Sequence, residues 1–261
     1  MDRTPMTVAT PEEEELQRKL VELAAVESEL AQRDLDLATL AGELGAFERL
    51  YIRVVGSKYA ELDKISAQIQ QLLLELSPED AESKSRARDA QEQARQSAEA
   101  AAGAGGPPER EHFQPSEELK RLYREAAKKV HPDLAGDPKE QERRNRVMAE
   151  VNKAYAEGDI ERLRVLLREW ETSPDAIRGE GVAERLVRTI RKIHQARAGI
   201  DRIGQEIERL GSSDLGKLCE TVRDAERQGR DLLAEMARRL DQEIEVARRA
   251  LRELRGSPQG I

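Results

Sequence analysis

Residues 16–76 read LQRKLVELAAVESELAQRDLDLATLAGELGAFERLYIRVVGSKYAELDKISAQIQQLLLEL. One position recurs every seven residues: Leu16, Leu23, Leu30, Leu37, Leu44, Tyr51, Lys58, Ile65 and Leu72. Its companion runs Leu20, Glu27, Asp34, Ala41, Glu48, Val55, Leu62, Ile69 and Leu76. A seven-residue apolar repeat marks a long helix that buries one seam against other helices. Each buried Leu contributes about 1.5–3 kcal/mol, so some partner helix must cover the stripe. The companion stripe is charged through its middle. In a parallel, in-register homodimer Glu27, Asp34 and Glu48 would each face their own copy, an unfavourable pairing. An antiparallel or intramolecular cover is therefore expected. Gly42, Gly45 and Gly56 each cost about 1 kcal/mol inside a helix and signal a bend or a close crossing.

Composition extends the helical reading to the whole chain. Ala, Glu, Lys, Leu and Arg make up 143 of 261 residues, and aromatics only 3%. Such a balance suits long helices and starves a β-sandwich or a doubly wound sheet of the residues it needs. No apolar run approaches the roughly 18 residues of a membrane span. One cysteine, Cys219, excludes an internal disulfide, and three scattered His form no metal-ligand spacing. Net charge is −8, and even residues 173–261 carry only 18 bases against 16 acids. A nucleic-acid footprint is not expected, nor is membrane binding. The chain reads as cytoplasmic.

Pro and Gly punctuate the rest. Residues 1–11 read as a disordered start, 12–76 as the coiled-coil helix and 77–115 as an Ala/Gly/Pro-rich linker, with room for part of a helix before Ala102 and no regular structure over Gly103 to Pro108. Three short helices follow over 116–171. Ser116 caps the first, and Pro132 stops it near Val130. Asp137-Pro138-Lys139-Glu140 starts the second, with a cap, a proline at the first helical position and Glu three after the cap. Gly158 ends it, and Asp159 caps the third, which carries Leu163, Leu166 and Leu167. After a linker over 172–181, stripes from Leu186 to Leu210 and from Leu215 to Leu254 are joined at Gly211 to Asp214. That pattern predicts an antiparallel coiled-coil hairpin over 182–255, with a tail over 256–261.

The sharpest motif lies in the middle unit. Leu119-Lys120-Arg121-Leu122-Tyr123-Arg124-Glu125-Ala126-Ala127-Lys128-Lys129-Val130 precedes His131-Pro132-Asp133. Leu119, Leu122, Ala126 and Val130 line one face of this helix. Lys120, Arg121, Arg124, Lys128 and Lys129 occupy other faces. Farther on, Met148-Ala149-Glu150-Val151-Asn152-Lys153-Ala154-Tyr155 offers Met148, Val151 and Tyr155 to pack back on it. The expected product is a helical hairpin with a charged tripeptide at its tip.

This arrangement resembles the J-domain of the DnaJ family. The basic helix with Tyr-Arg and two Ala, the His-Pro-Asp tripeptide and the Val-Asn-Lys-Ala-Tyr run fall at the family's relative positions, over about residues 116–157. The resemblance implies a co-chaperone whose tripeptide and basic helix dock on a DnaK-type chaperone ATPase and stimulate ATP hydrolysis. His131, Pro132, Asp133, Lys120, Arg121, Arg124, Lys128 and Lys129 would then form the contact. The chaperone would hold the nucleotide, so this chain itself needs no cofactor. The coils would recruit a client protein, direct the site of action or allow self-association.

The sequence also departs from the family. A J-domain opens with a short helix containing Tyr and Leu-Gly, whereas Pro107 to Pro115 here offers only Phe113. Its packing role would pass to the Leu163/Leu166/Leu167 helix or to a coiled coil. Leu134 stands where a basic residue usually follows the tripeptide. No Gly/Phe-rich segment or paired-cysteine zinc module follows.

Each motif also has a plainer reading. A basic helix face is ordinarily a solvated face, and His-Pro-Asp can be a capped turn. Cys219 sits by a core stripe as an inert thiol, Trp170 reads as packing, and His112 and His194 have no catalytic partner in view. No nucleophile, metal set or cleft points to an enzyme. The rival to the co-chaperone is a structural coiled-coil scaffold with a relic hairpin. The co-chaperone reading alone expects His131 and Asp133 to be exposed and free of internal ion-pair partners.

Overall fold

The structure, a computed structural model, describes residues 10–103, 113–135, 137–171 and 181–256. The protein is all-α, with no strand among the described residues. The expected long helix is present as α1 (Pro11–Tyr51), a π-helical turn (Ile52–Gly56) and α2 (Ser57–Leu76). Thr10 starts it with a reciprocal cap. Its Oγ1 accepts from the Glu13 amide at 3.3 Å, and its own amide donates to Glu13 Oε2 at 2.8 Å. The remaining helices are α3 (Ala81–Gly103), α4 (Glu117–Val130), α5 (Pro138–Glu157), α6 (Ile160–Glu171), α7 (Val182–Ser212), α8 (Asp214–Arg227) and α9 (Leu232–Gly256). The chain forms two units, and the division falls inside α1 between Glu43 and Leu44. One unit joins Met1–Glu43 to Phe113–Ser213, and the other joins Leu44–His112 to Asp214–Ile261.

In the first unit the middle segment folds as its punctuation predicts. Ser116 Oγ accepts from the Leu119 amide at 3.2 Å and Asp137 from the Glu140 amide at 2.9 Å. Asp159 accepts from the Arg162 amide at 2.9 Å. Gly158 ends α5 at φ 67°, a left-handed conformation that favours glycine. Helices α4 and α5 run antiparallel: Tyr123 meets Asn152, and Arg144 meets the carbonyl of Lys129. Their core joins Leu122, Tyr123 and Val130 to Val151 and Tyr155. Two further elements complete this core. Helix α6 supplies Leu163, Leu166 and Leu167, and α1 supplies Ala31 and Leu35. Gly42 allows that crossing, since a Cβ there would lie 2.6 Å from the Phe113 ring.

The N-terminal stripe finds its cover within the chain. Leu23, Val26 and Leu30 of α1 pack with Ile193 and Ala196 of α7. In the second unit Ile65 of α2 packs with Ile244 and Leu251 of α9. Lys58 Nζ lies 2.5 Å from Asp241 Oδ1, and Arg248 pairs with Glu61, so α2 and α9 run parallel.

Three sequence boundaries need correction. The helical part of the 77–115 segment is larger than a linker reading gave it: α3 occupies Ala81–Gly103, and Asp80 caps it through the amides of Glu82 and Ser83. Its Ala/Gln/Ser composition lacks a strong apolar stripe, and α3 folds back antiparallel on α2, where Gln93 reaches Asp63. The proposed hairpin over 182–255 is instead divided between the units, each stripe packing on a different part of the long helix. Its second arm also breaks between Arg227 and Leu232, where Gly229 sits at φ 75° and Asp231 caps α9 through the Ala234 amide at 2.9 Å. The first helix starts at Pro11, inside the span read as disordered. Residues 1–9, the linker 172–180 and the tail 257–261 lie outside the described residues.

Candidate functional site

The tripeptide sits where α4 must end. A residue before proline is pushed out of the helical region, and His131 adopts φ −56°, ψ 130°. Pro132–Leu134 then form one 3-10 turn, in which Leu134 donates its amide to the His131 carbonyl at 3.2 Å. Arg144 of α5 steadies the loop from behind. Its guanidinium donates to the carbonyls of Lys129 and His131 at 3.1 and 3.2 Å, satisfying groups that a helix end leaves open. The Arg144 and Arg143 guanidinium groups stack over the half-buried Trp170 at 5.2 and 4.5 Å from the ring centre.

Both charged members of the tripeptide are covered, contrary to the expected exposure. His131 retains 6% of its surface. Its Nδ1 accepts from the Asp133 amide at 3.1 Å, which assigns the proton of a neutral ring to Nε2. Nε2 faces Asp34 Oδ2 on α1 at 3.0 Å. The approach is close but off hydrogen-bond geometry, so Asp34 Oδ2 is the one buried side-chain oxygen without a hydrogen bond among the described residues. An unsatisfied buried acceptor costs about 1–3 kcal/mol. The Asp133 carboxylate is 12% exposed and pairs with Arg202 of α7. Gly199 of α7 backs this contact, since a Cβ there would run into Asp133 Oδ2 and lie 3.2 Å from Leu30 Cδ1. Leu134 is buried among Leu30, Ile193 and Ala196. Leu134 thus anchors the loop to α1 and α7.

The basic helix keeps part of its expected face. Arg121 and Lys128 are exposed. Lys120 pairs with Glu117 at 3.0 Å, Arg124 donates to Gln32 of α1 at 3.3 Å, and Lys129 pairs with Glu125 and Glu171. Hydrogen bonds from Lys129 to those two carboxylates raise its pKa. Burial holds the Tyr123 hydroxyl well above its ordinary value, reinforced by Asp34 and Tyr155. Tyr123 stays a donor, bonding Asn152 Oδ1 at 2.7 Å.

Elsewhere, Cys219 is buried in α8 and His194 lies on an exposed helix face. His112 lies outside the described residues. No cluster of three or more metal-ligating side chains occurs, and no helix is long and apolar enough to cross a membrane, among the described residues. Comparison with protein-family models, with curated proteins and with solved structures found no match.

Sequence reasoning named every residue of the loop and missed its cover: Asp34, Gly199 and Arg202. Asp34 did leave a signal, an acid at a seam position that ought to be apolar. Gly199 left another, a glycine inside the α7 stripe three residues before an arginine.

Proposed function

We propose that this protein is a J-domain-like co-chaperone that acts on a DnaK-type chaperone ATPase through its His131-Pro132-Asp133 loop. The observation that carries this reading is the antiparallel α4–α5 hairpin, with the tripeptide at its tip and Tyr123, Val151, Asn152 and Tyr155 joining its two arms. Asp133 would supply a charge-assisted contact, the stronger kind of hydrogen bond when it meets an arginine. Arg121 and Lys128 would steer encounter with an acidic surface, and such contacts favour fast, salt-sensitive association over tight binding. The basis is the motif in the sequence together with the hairpin that presents it.

Burial of His131 and pairing of Asp133 favour a second reading. In it the hairpin is a relic and the tripeptide an internal clasp within a coiled-coil scaffold. The two readings part on Asp133→Asn, which removes the charge at nearly constant volume. Its ion-pair partner Arg202 is 65% exposed, which limits what the pair adds, so melting should shift alike under both readings. A co-chaperone loses its stimulation of the chaperone's ATP hydrolysis, measured under single-turnover conditions. A scaffold shows no stimulation before or after the change.

A further inference from the structure

We propose that α7 is a removable cover over the docking loop, so that the Asp133 carboxylate becomes available to a chaperone only when α7 leaves it. The inference rests on the co-chaperone reading and adds how that site is controlled.

The two sides of the loop are covered by different means. On one side, α1 is built into the hairpin core through Ala31 and Leu35, and its Asp34 lies against His131. Removing α1 would open that core. On the other side, α7 touches the loop through Gly199, through Leu134 and through Arg202, which is itself 65% exposed. Ile193 and Ala196 hold α7 to the Leu23, Val26 and Leu30 stripe of α1, not to the core of α4, α5 and α6. Detaching α7 therefore frees Asp133 and leaves the hairpin and its α1 support intact.

Gly199 is the means of close approach. Any side chain there collides with the Asp133 carboxylate and crowds Leu30. The absence of a side chain lets α7 lie directly on the one acidic group that a docking contact would use. Arg202, three residues on, occupies the place that an arginine of a chaperone would take. The cover and the partner compete for one carboxylate.

Two manipulations of the full-length chain test the proposal. Gly199→Leu should lift α7 from the loop. Cysteines replacing Glu22 and Arg197, whose side chains form an ion pair at 2.7 Å between α1 and α7, should hold it down when joined by a reductant-cleavable bismaleimide. Cys219→Ala clears the background for that reagent.

Carbodiimide-driven amidation of carboxylates, mapped by mass spectrometry, reads the cover directly. In the wild type Asp133 should label at least tenfold more slowly than the exposed Asp137. In Gly199→Leu it should approach the Asp137 rate while Asp34 stays protected. Single-turnover ATP hydrolysis by a DnaK-type chaperone reads the consequence. Stimulation should rise severalfold in Gly199→Leu, and it should fall in the crosslinked protein and return on reduction. Equal Asp133 and Asp137 labelling in the wild type, or full stimulation by the crosslinked protein, overturns the cover and leaves the co-chaperone reading standing. Labelling of Asp133 in Gly199→Leu with no stimulation from any form overturns the co-chaperone reading, and the control of docking with it. If Gly199→Leu fails to fold, the crosslinked and reduced forms of the cysteine pair still decide.

Discussion

Asp34 and Glu27 occupy one heptad position of the long helix, and the fold treats them differently. Asp34 is buried against His131, while Glu27 is half-buried near Lys128, Arg144 and Lys192. Burial raises the Glu27 carboxyl above its ordinary range, and the three basic residues only partly oppose this. An acid with a raised folded pKa supports folding fully when protonated, below its unfolded value, and loses that contribution as pH rises through the folded value. Glu27→Gln should therefore stabilise the protein at pH 7 by a few tenths of a kcal/mol, the scale of a partly screened charge. The gain should fade by about pH 4. Urea midpoints at the two pH values check this, and a loss of stability at pH 7 would mean that the basic trio outweighs burial. The sequence marked both acids as seam defects. It held no sign of which one would meet a histidine, because that contact joins residues almost a hundred positions apart.

Local punctuation was the most legible part of the helices. Ser116, Asp137, Gly158 and Asp159 stop and start α4 to α6 as read, because caps and left-handed glycines act within a few residues. Two elements escaped for opposite reasons. Helix α3 carries too few apolar residues to show more than part of a helix before Ala102, and it gains its full length by packing on α2. The stripe from Leu215 to Leu254 looks continuous only if the apolar gap between Ala225 and Leu232 is passed over, and Gly229 breaks it there. Which helix covers which stripe was not legible, since any apolar face of suitable length satisfies the pattern. The structure gives α7 to α1, with Ile193 at the contact. Ile193→Ala should destabilise the chain by about 2–5 kcal/mol, the usual penalty for such a truncation. Hydrogen exchange should quicken in α7 before it does in α4 and α5. Uniform quickening across α4, α5 and α7 would contradict the separation of cover from core.

At the scale of the molecule, the α4–α5 hairpin is completed by the long N-terminal helix. Helix α1 packs into the hairpin core through Ala31 and Leu35 and carries the apolar seam on which α7 rests. One helix thus supports the His131-Pro132-Asp133 loop and anchors the helix that lies over it. The internal cover also resolves the charge pattern that argued against a parallel homodimer: Asp34 meets His131, Glu27 lies near basic residues and Glu48 is exposed. The most direct measurement compares Gly199→Leu with Gly199→Leu/Asp133→Asn in single-turnover ATP hydrolysis by a DnaK-type chaperone. On the proposed cover mechanism the loop is uncovered in both, and they differ only in the charge of one side chain. The expected result is stimulation by the first and none by the second. Equal rates from the two proteins, with or without stimulation, would contradict a docking role for Asp133.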